Sequence, residues 1–266
     1  MSRPVTYEVL TSGVAYLTLN QEATHNAFDD AMIQLLITGI KAAGSDHKVR
    51  VLVLQSTGQT FSAGANLHWM QRMVDYTYAD NHQDALQLSA LMHLLKACPK
   101  PTIAKVQGSV FGGAIGLLAC CNIVVSNQAS QFCLSEVKLG LAPATIAPFV
   151  IAAIGPRHAE RYMLSAEVFD ATTASAIGLV SEVTSAENLD SVTESFIQKF
   201  LANGPQAMTA TKNLISLCSN ASIDDALRDK TAHTIATLRV SDEGQAGLKA
   251  FFDKAPPPWI KQGDKA

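Results

Sequence analysis

Thr102-Ile-Ala-Lys-Val-Gln-Gly-Ser-Val-Phe-Gly-Gly-Ala-Ile-Gly-Leu-Leu-Ala-Cys-Cys121 is the stretch on which the reading of this chain turns. An apolar run at residues 103–106 meets a turn glycine, then Gly112 and Gly113, then a wholly apolar segment at helical spacing. That order predicts a strand, a glycine turn and a buried helix. A helix that begins at paired glycines points unsatisfied backbone N–H groups, and the positive end of its dipole, at whatever lies in front of it. Glycine also lets a ligand approach the main chain closely. An oxygen gaining negative charge suits such a place; tight helix–strand packing is the other reading of the same glycines.

Upstream, residues 5–10 and 14–19 are short apolar-rich runs around Thr11-Ser12-Gly13, the pattern of a hairpin. Asp29 or Asp30 is placed to cap a helix whose apolar positions Met32, Leu35, Leu36 and Ile40 recur at helical intervals and which Gly44 ends. Residues 51–54 read as a buried strand. The segment Phe61-Ser-Ala-Gly-Ala-Asn-Leu67 that follows is made of small residues between apolar anchors, a loop able to press its backbone against a ligand or simply to lead into the next helix. Residues 85–95 form an amphipathic helix with Leu88, Leu91, Met92 and Leu95 inward, stopped by Pro99 and Pro101.

Downstream, residues 123–125 and 132–134 read as short strands, and an apolar helix spans 146–154. Glu136 is the one carboxylate in a long apolar, small-residue region, the next acid being Glu160. A buried acid needs a purpose or a partner, and Lys138 stands near enough in sequence to be that partner. From Ala171 the chain reads as almost continuously helical. Repeated strand-strand-helix units point to an α/β spiral over residues 1–200, with residues 201–266 as a helical subdomain suited to partner packing and to covering a ligand.

Composition narrows the function classes. The chain has 266 residues, 48% hydrophobic and 16% charged, so a large core is expected and the sparing surface charge points to subunit contacts. A net charge of -3 offers no electrostatic case for nucleic acid or for an anionic membrane. Five cysteines in odd number and without metal spacing read as buried, reduced thiols. With no signal-like start and no run of membrane-spanning length, a cytoplasmic protein is expected.

Asn26-Ala27, residues 61–67, 106–122 and 135–140 occur together in an order and spacing similar to the crotonase family, the enoyl-CoA hydratase/isomerase superfamily. The resemblance covers nearly the whole chain. Within it, residues 61–70, Leu117-Leu-Ala-Cys-Cys121 and 134–145 look like the bacterial methylglutaconyl-CoA hydratases of leucine and related branched-chain catabolism. The resemblance implies a spiral of strand-strand-helix turns, trimers often paired as hexamers, and an acyl-CoA thioester as substrate, with coenzyme A part of the substrate and no further cofactor or metal. It implies oxyanion donors at the Ala65 and Gly113 N–H groups, each worth about 3 kcal/mol in comparable sites, and Glu136 as acid/base. Ala63, Asn66, Leu67, Phe251 and Lys254 fall on positions that bind substrate or CoA, the last two often across a subunit boundary. His68, Trp69 and Met70 line or support the acyl pocket, or fill the helix core.

The chain departs from the family pattern in several places. Gly116 stands where typical members carry a second glutamate, and is expected to leave room for an ordered water. Ala114 replaces a usual third glycine, Asn66 a usual aspartate, and Gln21 an arginine that often helps hold CoA. One glutamate serves hydration of a branched or carboxylated 2-enoyl-CoA if it moves both protons, and serves Δ3-Δ2 isomerisation equally well. Dehalogenation is disfavoured, because no Asp lies between Glu136 and Phe169. A non-catalytic acyl-CoA-binding or RNA-binding relative is the alternative of another class.

Overall fold

The structure is a computed structural model that describes residues 3–219 and 221–260. In chain order the elements are β1 (Val5–Val9), β2 (Val14–Leu19), α1 (Asp30–Ser45), β3 (Val51–Ser56), α2 (Leu67–Met73), α3 (Tyr78–Ala97), β4 (Thr102–Val106), β5 (Val110–Phe111), α4 (Ala114–Cys120), β6 (Ile123–Asn127), β7 (Gln131–Cys133), α5 (Ala147–Ser165), β8 (Phe169–Asp170), α6 (Ala171–Ala176), β9 (Glu182–Thr184), α7 (Leu189–Leu201), α8 (Pro205–Ser219), α9 (Asp225–Val240) and α10 (Asp242–Phe252).

The β1–β2 hairpin is antiparallel, with Val5 opposite Leu19, and opens a six-stranded sheet in the order β1-β2-β3-β4-β6-β9 whose later pairings are all parallel. Side chains along β3 alternate between two cores, as a period of two requires. Leu52 and Leu54 face α1 and α4, whereas Val51 and Val53 face Leu189, Ile197 and Leu201 of α7. Burial on both faces explains why the strand reads as an unbroken apolar run. A smaller sheet, β5-β7-β8, stands apart and carries the candidate site.

The structure amends several local expectations. Leu35 is 40% exposed, because Met32, Ile33, Leu36, Ile37 and Ile40 already supply the inward stripe of α1. Asp29 is its cap, accepting from the Met32 N–H at 2.9 Å, and the helix runs one residue past Gly44. The stretch after Ala171 is interrupted by β9, three residues that add the outermost parallel strand beside β6. The apolar helix entered at Ile146 breaks at Gly155, where φ is +75°, and resumes through Pro156.

The last three helices bury little: α8 buries no residue, α9 only Leu227 and α10 only Ala250. Thr209 Oγ1 and Lys212 Nζ of α8 tie them to the rest by donating to Pro99 O (2.9 Å) and Lys100 O (2.8 Å), while Arg50 holds the flanking segments through the carbonyls of Leu201 (3.2 Å), Asn203 (2.8 Å) and Trp259 (3.1 Å). Among the described residues, no helix is long and apolar enough to cross a membrane.

Candidate active site

The site is assembled where two loops touch. On one side, residues 61–67 run parallel to β5: Ser62 N–H donates to Ser109 O at 3.2 Å and Phe111 N–H to Ser62 O at 3.0 Å. Phe28 N–H donates to Gly64 O at 2.8 Å and Asn66 N–H to Phe28 O at 3.0 Å, a bridge pattern that turns the intervening Ala65 N–H away from Phe28. Gly64 has φ +86°, and a β-carbon there would lie 2.8 Å from Phe111 O, so only glycine lets the two loops meet.

Asn26 braces this arrangement from beneath. It is fully buried; its amide donates to Thr57 O and Thr60 O, both at 2.8 Å, and its Oδ1 accepts from Gln21 N–H at 2.8 Å. Ser62 Oγ donates to Asn26 O at 2.8 Å and accepts from Gly64 N–H at 3.2 Å. Such a side-chain network, satisfied at each of these atoms, holds a loop without a helix or strand of its own.

On the other side, β5 pairs in parallel with β7, Phe111 opposite Cys133, and the ladder continues as Gly112 N–H donates to Cys133 O at 2.8 Å. That register carries Glu136, three residues past Cys133, up to the glycine turn. Its Oε1 lies 3.4 Å from where a Gly112 β-carbon would stand. Glu136 opens a short 3₁₀ turn to Leu139 that Gly140 closes. Its Oε2 is buried and has no hydrogen-bond partner, and among the described residues it forms no ion pair with Lys138, whose side chain is exposed. Burial pushes the Glu136 carboxyl above its ordinary value of 4.5, opposed in part by a hydrogen bond from its own backbone.

Neither the Ala65 N–H nor the Gly113 N–H has an acceptor among the described residues. Two open donors on touching loops, beside an unpartnered carboxyl, are what stabilisation of an enolate oxygen and proton transfer at the neighbouring carbon require. The nearby thiols offer no competing chemistry, since burial pushes Cys121 up to about 12 and raises Cys120 as well. All five cysteines are free; Cys218 alone is exposed, and the other four are buried.

Gly116 departs from expectation. A β-carbon there would lie 2.4 Å from Ile146 Cγ2 and 3.1 Å from Met92 Sδ, so the space is filled by these side chains rather than left for a water. The glycine is needed for close packing of α4 against the start of α5. Nothing in the local sequence singles out Ile146, because its neighbour in space is thirty residues away in the chain.

The remaining expected residues fall into two groups. Ala63 and Leu67 are exposed on the loop and the first turn of α2, and Asn66 caps that helix, its Oδ1 accepting from His68 N–H at 2.9 Å and Trp69 N–H at 3.3 Å. Trp69 belongs to the core at 3% exposure, Met70 is half-buried and His68 is exposed. Phe251 and Lys254 lie at the end of α10. Phe251 is 75% exposed and packs edge-on against Phe252, and the Lys254 side chain is exposed; the contacts that join Gly64, Gly112 and Glu136 do not extend to them among the described residues. Leu88, read only as a core position, packs 3.8 Å from the β-carbon position of Gly113, beside Phe28 at 3.3 Å.

Known proteins resemble this chain along most of its length. Residues 10–262 match the family described as enoyl-CoA hydratase/isomerase. The crystal structure of an enoyl-CoA hydratase from Shewanella pealeana superposes with a TM-score of 0.93 at 41% identity, covering 97% of this chain and 96% of that one. Enoyl-CoA hydratase ACTT6 of Alternaria alternata is 32% identical over 254 residues, 94% of this chain and 82% of its own length. The trans-2-decenoyl-[acyl-carrier-protein] isomerase of Streptococcus mutans is 27% identical over 251 residues, 92% of this chain and 94% of its own.

Proposed function

The chain belongs to the enoyl-CoA hydratase/isomerase family, and from that premise we propose that it adds water across the 2,3 double bond of a short, branched or carboxylated 2-enoyl-CoA. The observation that carries this reading is the unpartnered Glu136 Oε2 beside the open N–H groups of Ala65 and Gly113. The thioester oxygen accepts from both donors. Glu136, ionised, takes a proton from water as the water oxygen bonds to the β-carbon; the π electrons move to the α-carbon and the thioester oxygen, giving an enolate. Glu136 then returns the proton to the α-carbon, so a single carboxyl moves both protons and no cofactor is needed beyond the CoA carried by the substrate. Loss of enoyl-thioester absorbance with short branched enoyl-CoAs tests this, and no loss with any of them overturns it.

One observation favours a second reading. Ile146 and Met92 fill the space beside Gly116, which leaves no room at that position for a second carboxylate. Glu136 alone suffices to take the α-proton of a 3-enoyl-CoA and deliver it to the γ-carbon, a Δ3-Δ2 isomerisation through the same enolate.

The exposed apolar side chains of the last three helices, among them Ile215, Phe251 and Phe252, support assembly as a trimer or a dimer of trimers. In that assembly residues 201–266, of which 220 and 261–266 lie outside the described residues, act as the packing subdomain, and Phe251 and Lys254 reach the CoA of a neighbouring copy. The free thiols agree with work in the cytoplasm, and the substrate class with a place in leucine catabolism.

A further inference from the structure

Helices α3 and α2 lead away from the Gly113 and Ala65 donors. From Gly113 outward, one face of α3 presents Met92, Leu88 and Asp84, four residues apart and therefore stacked one turn above another. Met92 is fully buried and packs with Ile146 over Gly116, which closes that end. Leu88 adjoins Gly113, and both Leu88 and Asp84 stay half-buried. The opposite wall is α2, which starts two residues after the Ala65 donor. The two walls meet where Trp69 Nε1–H donates to Asp84 Oδ1 at 3.3 Å.

Asp84 Oδ2 accepts no hydrogen bond among the described residues. Arg72, whose charge reaches Asp84, is already engaged: it donates to Asp30 Oδ1 at 2.7 Å and forms no ion pair with Asp84 among the described residues. Burial, and Asp30 after it, disfavour the charged form of Asp84, whereas Trp69 and Arg72 favour it. A second carboxylate brought to this place adds like charge in a partly desolvated pocket.

Resting on the acyl-CoA reading above, we propose that Asp84, held by Trp69 at the open end of the acyl pocket, is a specificity-determining residue that admits uncharged acyl tails and turns away tails ending in a carboxylate. This narrows the substrate class to the branched, uncharged enoyl-CoAs.

Calorimetric binding of two saturated, unreactive thioesters of equal carbon count, valeryl-CoA and glutaryl-CoA, tests it without turnover. The wild-type protein is expected to bind valeryl-CoA at least about tenfold more tightly, Asp84→Asn to shrink that ratio to about threefold or less, and Asp84→Glu, which keeps the charge, to retain it. Equal or tighter wild-type binding of glutaryl-CoA, or an unaltered ratio in a folded Asp84→Asn, overturns the proposal. If the ratio fails while branched enoyl-CoAs are still hydrated, this inference falls alone. If neither thioester binds, the acyl-CoA reading falls and takes it down as well.

Discussion

The Glu136 carboxylate stands 3.4 Å from the place a β-carbon on Gly112 would occupy, and Gly112 itself has φ +54°. The glycine therefore both makes the turn and leaves the carboxylate its position. Gly112→Ala is expected to lower turnover by about tenfold or more, since a shifted acid/base group loses its alignment, and to cost about 1–2 kcal/mol of stability for a left-handed alanine. Steady-state kinetics beside chemical denaturation check this; full activity in a stable variant would count against the placement of Glu136.

Gly64 makes a sharper case, because a β-carbon there meets the backbone carbonyl of Phe111 at 2.8 Å and backbone yields little. Gly64→Ala is expected to destabilise by about 1–3 kcal/mol and to reduce activity further by displacing the adjacent Ala65 N–H. Thermal unfolding compared with kcat measures both effects.

The raised pKa of Glu136 has two consequences of opposite kind. As the base must be ionised, the acid limb of kcat/KM is expected at a pH above the ordinary glutamate value of 4.5. For stability the folded-state pKa lies above the unfolded one, so the folded state binds more protons between them and stability falls as pH rises through that window. Glu136→Gln should accordingly be more stable than wild type near pH 8, with the gain vanishing below 4.5, the ordinary glutamate value. Paired denaturation curves across pH read this directly; a variant less stable at pH 8 would argue that the carboxylate has a partner.

Much of this was legible from local pattern alone. The β1–β2 hairpin, the Asp29 cap and the strand, turn and helix from Thr102 to Cys121 each follow from residues that are neighbours in sequence. What escaped depends on contacts between distant segments. Strands β8 and β9, of two and three residues, are too short for periodicity to mark and exist only because β7 and β6 offer them an edge. Gly116 reads in isolation as open space, and only the arrival of Ile146 shows that it is filled. The spacing left a Glu136–Lys138 pair open as one of two readings, and the 3₁₀ turn decides against it by leaving Lys138 exposed while the Glu136 Oε2 is buried.

The Gly116–Ile146 contact makes a thermodynamic prediction of its own. Gly116→Ala drives a β-carbon to 2.4 Å from Ile146 Cγ2 and is expected to cost about 1–3 kcal/mol by overpacking. Ile146→Ala leaves a cavity and is expected to cost about 2–5 kcal/mol. Combined, the two should cost clearly less than their sum, because the new methyl enters the space the larger side chain vacates. Strict additivity in denaturant titrations would contradict the packing described.

The central claim is that one carboxyl, Glu136, moves the protons at an enolate held by the Ala65 and Gly113 N–H groups. Mass spectrometry of products formed from a branched 2-enoyl-CoA and from a 3-enoyl-CoA in oxygen-18 water, for wild type and Glu136→Gln, tests it most directly. The account predicts one labelled water gained by the 2-enoyl substrate, lost in the variant by a factor of about a hundred or more. A label-free shift of the double bond from the 3-enoyl substrate alone would make the protein an isomerase, and unchanged hydration by Glu136→Gln would contradict the assignment of Glu136 altogether.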